Sequence, residues 1–323
     1  MKLIIQIPCY NEAATLSTAL AELPRKVRGF DKVEWLIVND GSTDATMEVA
    51  RKCRVDHIVS FKRNQGLARA YMAGLRASLE LGADVIVNTD ADNQYRAEDI
   101  PALAAPILAG KADIVIGVRP IKTIQHFSLL KKVLQWLGSA VVRGVSGTSV
   151  EDAPSGFRAV SREAAMRLHV FNDYTYTLET IIQAGRKNMV VASVPVRVNQ
   201  DIRPSRLVKS IPRYIRKSVF TMLRIFVVYR PFRFFIAIGG SVFAVGVLLG
   251  LRFLVLLLIG GGGGHVQSLI LASILLGIGF QTMLTAFLAD LLAVNRTLLE
   301  EIEYNTLSVK ASVRRRPRNK KSP

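Results

Sequence analysis

Two aspartates, Asp90 and Asp92, end a short apolar run at residues 84–89 and are separated by a single residue. Apolar runs of this length without a helical period are typical of buried strands. Side chains at positions i and i+2 of an extended segment point the same way, so the two carboxylates are expected to share one divalent cation. Mg²⁺ and Mn²⁺ usually combine one or two carboxylates with phosphate oxygens. The pair therefore predicts a metal site for a diphosphate, although this spacing also occurs in solvated turns.

Three other apolar runs, at residues 2–7, 33–38 and 57–61, are predicted to be strands. Each leads through a polar loop into a segment with helical periodicity. Strands that alternate with helices predict an α/β fold with a mostly parallel, doubly wound sheet, whose ligands bind beyond the carboxyl ends of the strands. We therefore expect all four polar loops, including the one that carries the two aspartates, at a single edge of the sheet.

These loops resemble the motifs of family 2 glycosyltransferases of the GT-A fold. The motifs, in matching order and spacing, are Pro8-x-Tyr10-Asn11-Glu12, Asn39-Asp40-Gly41-Ser42-x-Asp44, Asn64-x-Gly66 and Asp90-Ala91-Asp92-x-Gln94. Three later segments resemble the branch that loads a sugar onto a polyprenyl phosphate, as dolichyl-phosphate mannose synthases do: Gly117-Val118-Arg119, Leu137-Gly138-Ser139 and Asp152-Ala153-Pro154-Ser155-Gly156-Phe157-Arg158. The resemblance is close over residues 1–210. Beyond them only the layout matches, with amphipathic interface helices followed by a transmembrane helical hairpin.

The resemblance implies which residues would hold the donor, a UDP- or GDP-linked sugar. Mg²⁺ or Mn²⁺ would be held by Asp90 and Asp92, with Gln94 as a further metal or phosphate contact. Catalytic roles would fall to Asp90, Asp92, Arg119 and Asp152. The nucleotide-sugar site would consist of Pro8, Tyr10, Asn11, Glu12, Asn39, Asp40, Gly66 and Gln94. The sequence leaves the sugar and the base open.

The acceptor implied by the resemblance, a polyprenyl phosphate, is already an anionic nucleophile at neutral pH because the second pKa of a phosphate monoester is about 6. Such an acceptor needs cations more than it needs a general base. Arginine suits this role because its planar fork binds phosphate oxygens bidentately. The candidates for holding the acceptor phosphate are Arg119, Ser139, Arg143, Arg203 and Arg206. Attack opposite the diphosphate would invert the anomeric configuration, as the resemblance implies.

Two other carboxylates keep alternative roles. Asp152 lies in the region where hydroxyl-accepting relatives have a base, and here it is expected to position residues 155–158 or the sugar. Glu179, on a predicted helix with aromatic neighbours, is expected either to bind sugar hydroxyls or to pair with Arg158 or Arg186.

Two segments near the carboxyl end predict a membrane hairpin. Residues 234–259 contain Arg252 as their only charge, and residues 266–289 contain none. Both exceed the length of about 20 residues that crosses a bilayer. The resulting division is a catalytic domain (1–202), a basic amphipathic juxtamembrane segment (203–233), a first span (234–259), a glycine-rich outer turn (260–265), a second span (266–292) and a basic tail (293–323).

The net charge of +18 is concentrated beside these spans. Residues 203–233 hold nine basic residues and no acid, and residues 310–321 hold seven and no acid. The positive-inside rule then places the catalytic domain and both termini in the cytoplasm, on a two-span protein of the cell membrane. We expect no signal peptide, since the first apolar run is too short. Nucleic acid is not an expected partner, because the tail lacks stacking aromatic residues.

Two other functions fit part of the sequence. A processive polysaccharide synthase would share the first half, but it would carry a Gln-x-x-Arg-Trp motif and more than two spans. A non-enzymatic membrane adaptor with a degenerate nucleotide-binding domain would be expected to have lost a metal carboxylate, whereas Asp90 and Asp92 are both present. A homo-oligomer, for instance a tetramer, is expected only by analogy with the membrane layout.

Overall fold

The computed structural model describes residues 1–120, 129–170, 176–199, 220, 223–224, 227–259 and 266–315, of which 129–137 and 310–315 are described by their backbone only. The chain forms two compact units, residues 1–215 with 303–323, and residues 216–302. Arg203, Arg206 and the glycine turn expected at 260–265 lie outside the described residues, as does most of the amphipathic segment expected at 203–233.

Seven strands form the centre of the first unit: β1 (Lys2–Cys9), β2 (Lys32–Asn39), β3 (His57–Ser60), β4 (Val85–Asn88), β5 (Ile114–Val118), β6 (Arg158–Ser161) and β7 (Val191–Pro195). Their order in the sheet is β3-β2-β1-β4-β6-β5-β7. Only β6 runs against its neighbours, β4 and β5, so the predicted mostly parallel sheet is confirmed. Strands β1, β2 and β4 are buried along nearly their whole length, which explains their almost continuous apolar sequences.

Helices connect these strands as the alternating pattern predicts. They are α1 (Leu16–Glu22), α2 (Thr46–Lys52), α3 (Leu67–Glu80), α4 (Ile100–Leu108), which follows a 3₁₀ turn at Ala97–Asp99, α5 (Leu129–Ser146), α6 (Arg162–Arg167) and α7 (Thr177–Arg186). The three helices predicted after β1, β2 and β3 are confirmed, although α1 begins later than the expected residue 13.

The register of the central strands brings the polar loops to one edge. Strand β1 pairs with β2 up to the last residue of each, and Gln6 of β1 pairs with Asn88, the last residue of β4. The loops after these three strands therefore meet, as expected. One expectation was wrong: β4 ends at Asn88, so the two aspartates do not lie in an extended segment. Asp90 comes just before a turn, and Asp92 lies within it.

The second unit contains α8 (Pro231–Leu258) and most of α9 (Val266–Arg315), whose residues from 303 onward belong to the first unit. Both contain stretches long and apolar enough to cross a membrane. They approach closely at glycines: a Cβ added to Gly279 would lie 2.6 Å from the backbone nitrogen of Phe243, and one added to Gly239 would lie 2.9 Å from the Gly279 carbonyl oxygen. Small residues allow this kind of contact between membrane helices. Helix α8 begins at Pro231, three residues before the expected start of the first span, and α9 continues past residue 292, where a separate tail was expected to begin.

Glu34 lies near the amino end of β2, away from the polar loops, and only 5% of it is exposed. Its carboxylate lies 2.6 Å from Lys2 Nζ, 2.5 Å from Lys32 Nζ and 2.7 Å from His57 Nε2. Burial alone would raise the pKa of Glu34, but the hydrogen bonds from these side chains outweigh burial and lower that pKa to about 2. The carboxylate therefore stabilises the folded protein in its ionised form.

This network predicts a pH-dependent contribution to stability. Because the folded pKa of Glu34 is depressed, the contribution is fully present above the ordinary value of 4.5 and is lost as the pH falls through about 2. Glu34→Gln should lower the melting temperature of the full chain in detergent by roughly 2 to 5 °C at neutral pH. The difference should shrink as the pH falls below 4.5. Asp31→Asn, which removes an ion pair whose aspartate is 91% exposed, is the control and should change little. A Glu34→Gln penalty independent of pH would contradict this account.

Candidate active site

The two aspartates after β4 form the centre of the polar edge. The carboxylate of Asp90 lies against the backbone of Gly156, where an added Cβ would be 2.9 Å from Asp90 Oδ2. The backbone N–H of Gln94 donates to Asp92 Oδ1 at 3.2 Å and so fixes the second carboxylate. Burial first, and then the negative charge of Asp92, hold the pKa of Asp90 well above its usual range. A bound cation would offset the repulsion between these two carboxylates.

The side chains at this edge suit a metal ion that takes part of its coordination from a bound substrate. In the part of the chain that the structure describes, no three His, Cys, Asp or Glu side chains converge on one point. The site therefore offers the carboxylates of Asp90 and Asp92, with the amide of Gln94 nearby in sequence. Two carboxylates suit Mg²⁺ or Mn²⁺ when a diphosphate and water supply the remaining oxygens.

A buried polar network lies beneath the carboxylates. Asn88 Nδ2 donates to the Gly156 carbonyl and to the Tyr176 hydroxyl, both at 2.9 Å. Asn88 Oδ1 accepts from Gln6 Nε2 at 3.0 Å, and the Gly156 N–H donates to the Tyr95 hydroxyl at 3.2 Å. These bonds fix Gly156 from two sides and so determine the space that is left for Asp90.

Arg119 follows β5 and is clamped by Asp152. Arg119 Nε donates to Asp152 Oδ2 at 2.8 Å and Nη2 donates to Oδ1 at 2.9 Å. Asp152 is completely buried, and 11% of the Arg119 side chain is exposed. The guanidinium is also close enough to Asp90 to oppose the rise in its pKa. A bidentate pair fixes the plane of the guanidinium and leaves its other N–H groups for a ligand.

On the nucleotide side, Asp40 organises the loop before α3. Its carboxylate accepts from the backbone N–H groups of Gln65 at 2.7 Å and Gly66 at 2.9 Å, and from Asn64 Nδ2 at 3.0 Å. Burial raises the pKa of Asp40, and the two backbone hydrogen bonds oppose that rise. Gly66 has φ +96°, a conformation that favours glycine.

The remaining motif residues join the first two loops. Asn11 has φ +55°, and its side chain accepts from the backbone N–H of Thr43 at 2.8 Å. Asn39 Oδ1 accepts from the Ser42 N–H at 2.9 Å. Pro8 is buried and Glu12 half-buried, whereas Tyr10 is 44% exposed at the open edge. The asparagines thus hold the loops together at this edge.

Comparison with known proteins identifies the architecture. The model of the family described as glycosyl transferase family 2 matches residues 4–168, half of the chain. The chain belongs to glycosyl transferase family 2. It is therefore a glycosyltransferase, and the sheet with its polar edge is the GT-A fold.

Two curated relatives illustrate the similarity of this glycosyltransferase to proteins of known activity. The undecaprenyl-phosphate mannosyltransferase of Micrococcus luteus is 28% identical over 218 residues, which cover 64% of this chain and 88% of the relative. The polyprenol monophosphomannose synthase of Mycolicibacterium smegmatis is 28% identical over 204 residues, which cover 60% and 76%. Among solved structures, glucosyl-3-phosphoglycerate synthase from Mycobacterium tuberculosis, crystallised with Mn²⁺ and UDP, matches with a TM-score of 0.53 at 20% identity, covering 68% of this chain and 79% of that one. At that identity the match shows the fold alone.

The glycosyltransferase uses Ser139 and Arg143 to support the segment around Asp152. Ser139 is buried and its hydroxyl accepts from the Ala153 N–H at 3.3 Å. Arg143 Nη1 donates to the Val150 carbonyl at 3.2 Å. Glu179, whose role the sequence left open, is buried on α7.

Sequence reasoning missed several residues that shape the site, among them Gln6, Asn88, Tyr95 and Tyr176. Gln6 and Asn88 carried a usable signal, because each is a polar side chain inside an otherwise apolar strand and must therefore find a partner. The two tyrosines gave no comparable signal, since buried aromatic residues are common in any core.

Proposed function

We propose that this glycosyltransferase transfers a sugar from a nucleotide-sugar to a polyprenyl phosphate at the membrane. The observation that carries the proposal is the presence, in one chain, of a family 2 site and two helices long and apolar enough to cross a membrane. The names of the curated relatives support it, because they act on undecaprenyl and polyprenol phosphates.

The donor would bind across the polar edge. Its diphosphate would lie at Asp90 and Asp92, which would hold Mg²⁺ or Mn²⁺ together with Gln94, and its base would lie by Tyr10 and Asp40. A bound divalent cation would offset the negative charge that grows on the departing diphosphate. Asp40 and Asn11 contribute by holding their loops in place. The base and the sugar stay open between UDP- and GDP-linked donors.

The burial and hydrogen bonding of Asp152 support a phosphate acceptor. A sugar hydroxyl needs a general base to remove its proton, whereas a phosphate monoester is already ionised at neutral pH. Both oxygens of Asp152 accept hydrogen bonds from Arg119, and the carboxylate is fully buried. It is therefore suited to orient Arg119 and poorly suited to act as a base. Arg119 would bind the acceptor phosphate, with Arg203 and Arg206 as further candidates, and attack opposite the diphosphate would invert the anomeric carbon.

The basic segments suggest the orientation in the membrane. Nine basic residues at 203–233 precede the apolar part of the first helix, and seven at 310–321 follow that of the second, both at the ends away from the connecting residues 260–265. By the positive-inside rule, both flanks and the catalytic unit would face the cytoplasm. The sugar would then be loaded on the cytoplasmic leaflet, next to soluble nucleotide-sugars.

Replacement of Arg119 tests this acceptor site. Arg119→Lys keeps the charge but loses the planar fork, so we expect kcat/KM for polyprenyl phosphate to fall about 10- to 100-fold. Asp152→Asn should act in the same direction, because it releases the guanidinium. Arg76→Lys, at an exposed position on α3, is the matched control and should change kcat/KM little. An unchanged kcat/KM for polyprenyl phosphate in Arg119→Lys would remove Arg119 from the acceptor site.

A further inference from the structure

The backbone immediately after Asp92 is held by residues far away in sequence. Asn93 has φ +56° and is buried, and its side-chain Nδ2 donates to Glu22 Oε1 at 2.9 Å. The carbonyl of Asn93 accepts from Asn199 Nδ2 at 3.0 Å. Asn199 Nδ2 also donates to Glu22 Oε2 at 3.2 Å, so the three residues are joined pairwise. We call Glu22, Asn93 and Asn199 the loop lock.

The same two segments are joined on either side of the loop lock. The backbone N–H of Asn199 donates to the Gln94 carbonyl at 2.9 Å, and Tyr95 pairs with Val198 in an antiparallel bridge. Further along, Asp99 Oδ1 accepts from Arg197 Nη2 at 2.7 Å and Asp99 Oδ2 accepts from the Arg197 N–H at 2.7 Å. Residues 93–99, which follow the two aspartates, are therefore joined to residues 197–199.

This pairing determines the shape of the loop. A left-handed conformation costs a residue with a side chain about 1 kcal/mol, so Asn93 needs partners that favour it. The turn at Asn93 brings the Gln94 N–H to Asp92 Oδ1. Asn199 and Glu22 bind Asn93 directly and do not reach the carboxylates themselves. Loss of a group that orients a metal ligand through hydrogen bonds usually lowers metal affinity about 10- to 100-fold.

We infer that Asn199 and Glu22 are positioning residues for the metal and diphosphate site, an inference that rests on the proposed function. The chain that leaves the sheet toward the basic juxtamembrane segment thereby fixes the loop on which the donor diphosphate would bind. The two residues act through Asn93. Their replacement should therefore lower metal and nucleotide affinity directly, and lower the turnover rate only as a consequence.

The test is Mn²⁺ affinity of the full chain in detergent, measured by electron paramagnetic resonance with UDP and with GDP. Asn199→Asp places a carboxylate against Glu22 and should weaken Mn²⁺ binding about tenfold. Adding Glu22→Gln removes the repulsion between the two carboxylates but does not replace the donor to the Asn93 carbonyl, so it should recover only part of the lost affinity. Asn199→Ala removes the donor without adding charge and should show a smaller loss. Glu98→Gln, which removes an exposed partner of Arg197, is the control and should leave affinity unchanged.

The outcomes separate the two claims. If wild type binds Mn²⁺ with a nucleotide but both Asn199 variants bind equally well, the loop lock has no positioning role and the proposed function stands. If Glu22→Gln recovers none of the affinity lost in Asn199→Asp, the coupling between Glu22 and Asn199 is refuted. If wild type binds no Mn²⁺ with either nucleotide, the proposed function fails and the inference fails with it.

Discussion

Asp92→Asn is expected to abolish metal-dependent nucleotide binding and to reduce sugar transfer on the order of 10³-fold. Asparagine matches aspartate in shape but carries no charge. Among the described residues, Asp90 and Asp92 are the two carboxylates that would hold the cation, so the substitution removes one of its two charged ligands. Burial already opposes ionisation of Asp90, so Asp90 alone is a weak cation ligand. The described residues offer no third acidic, histidine or cysteine side chain that could take the place of Asp92.

Asp84→Asn is the matched control for this prediction. Asp84 precedes β4, at the end opposite Asp92, and its Oδ2 accepts from the backbone N–H of Lys2 at 2.8 Å. An asparagine oxygen can accept the same bond, so transfer should stay near the wild-type rate. Metal-dependent nucleotide binding that survives in Asp92→Asn, measured by Mn²⁺ resonance or calorimetry, would show that the metal site lies elsewhere.

Gly156→Ala is expected to reduce transfer about 100-fold, because displacement of a catalytic group by about 1 Å has an effect of that size. The new Cβ would lie 2.9 Å from Asp90 Oδ2 and 3.1 Å from the Tyr176 hydroxyl. Tyr176 cannot easily give way, since it is fully buried, bonded to Asn88 and stacked on Tyr71 at 3.8 Å between ring centroids. Asp90 must therefore move.

The measurement for Gly156→Ala is Mn²⁺ affinity beside kcat, together with the melting temperature. We expect weaker Mn²⁺ binding and lower kcat with a small change in melting temperature, since a single methyl is accommodated by one side chain. Gly144→Ala on α5 is the control, because an added Cβ there meets nothing within 4 Å. Wild-type Mn²⁺ affinity in Gly156→Ala would mean that the close contact with Gly156 does not determine the position of the Asp90 carboxylate.

The fold and the location of the site followed from the sequence for a physical reason. Strands buried on both faces are continuous apolar runs, and in a parallel sheet the loops at their carboxyl ends must meet. The apolar runs therefore predict Asp40, Asp90 and Asp92 at one edge. The local geometry was less accessible: an extended Asp90 and Asp92 was expected, and a turn was found.

Contacts between distant segments could not be read from the sequence. The pairing of Arg119 with Asp152 depends on the antiparallel insertion of the four-residue strand β6 between β4 and β5. No periodicity in the chain encodes that order, because it is decided by packing across the sheet. The same insertion brings Gly156 against Asp90. Likewise, nothing in the local sequence around Asn199 indicates that its amide holds Asn93.

The central claim, transfer to a lipid-linked phosphate, is tested most directly by comparing acceptors. Purified full-length protein in detergent, with Mg²⁺ or Mn²⁺ and a panel of radiolabelled UDP- and GDP-sugars, would be offered polyprenyl phosphate, the same polyprenol without its phosphate, and 3-phosphoglycerate. We predict label in the organic phase with polyprenyl phosphate alone, and with only one or a few of the donors. Equal label on the unphosphorylated polyprenol, label only on the soluble acceptor, or no lipid label with any donor would contradict the account.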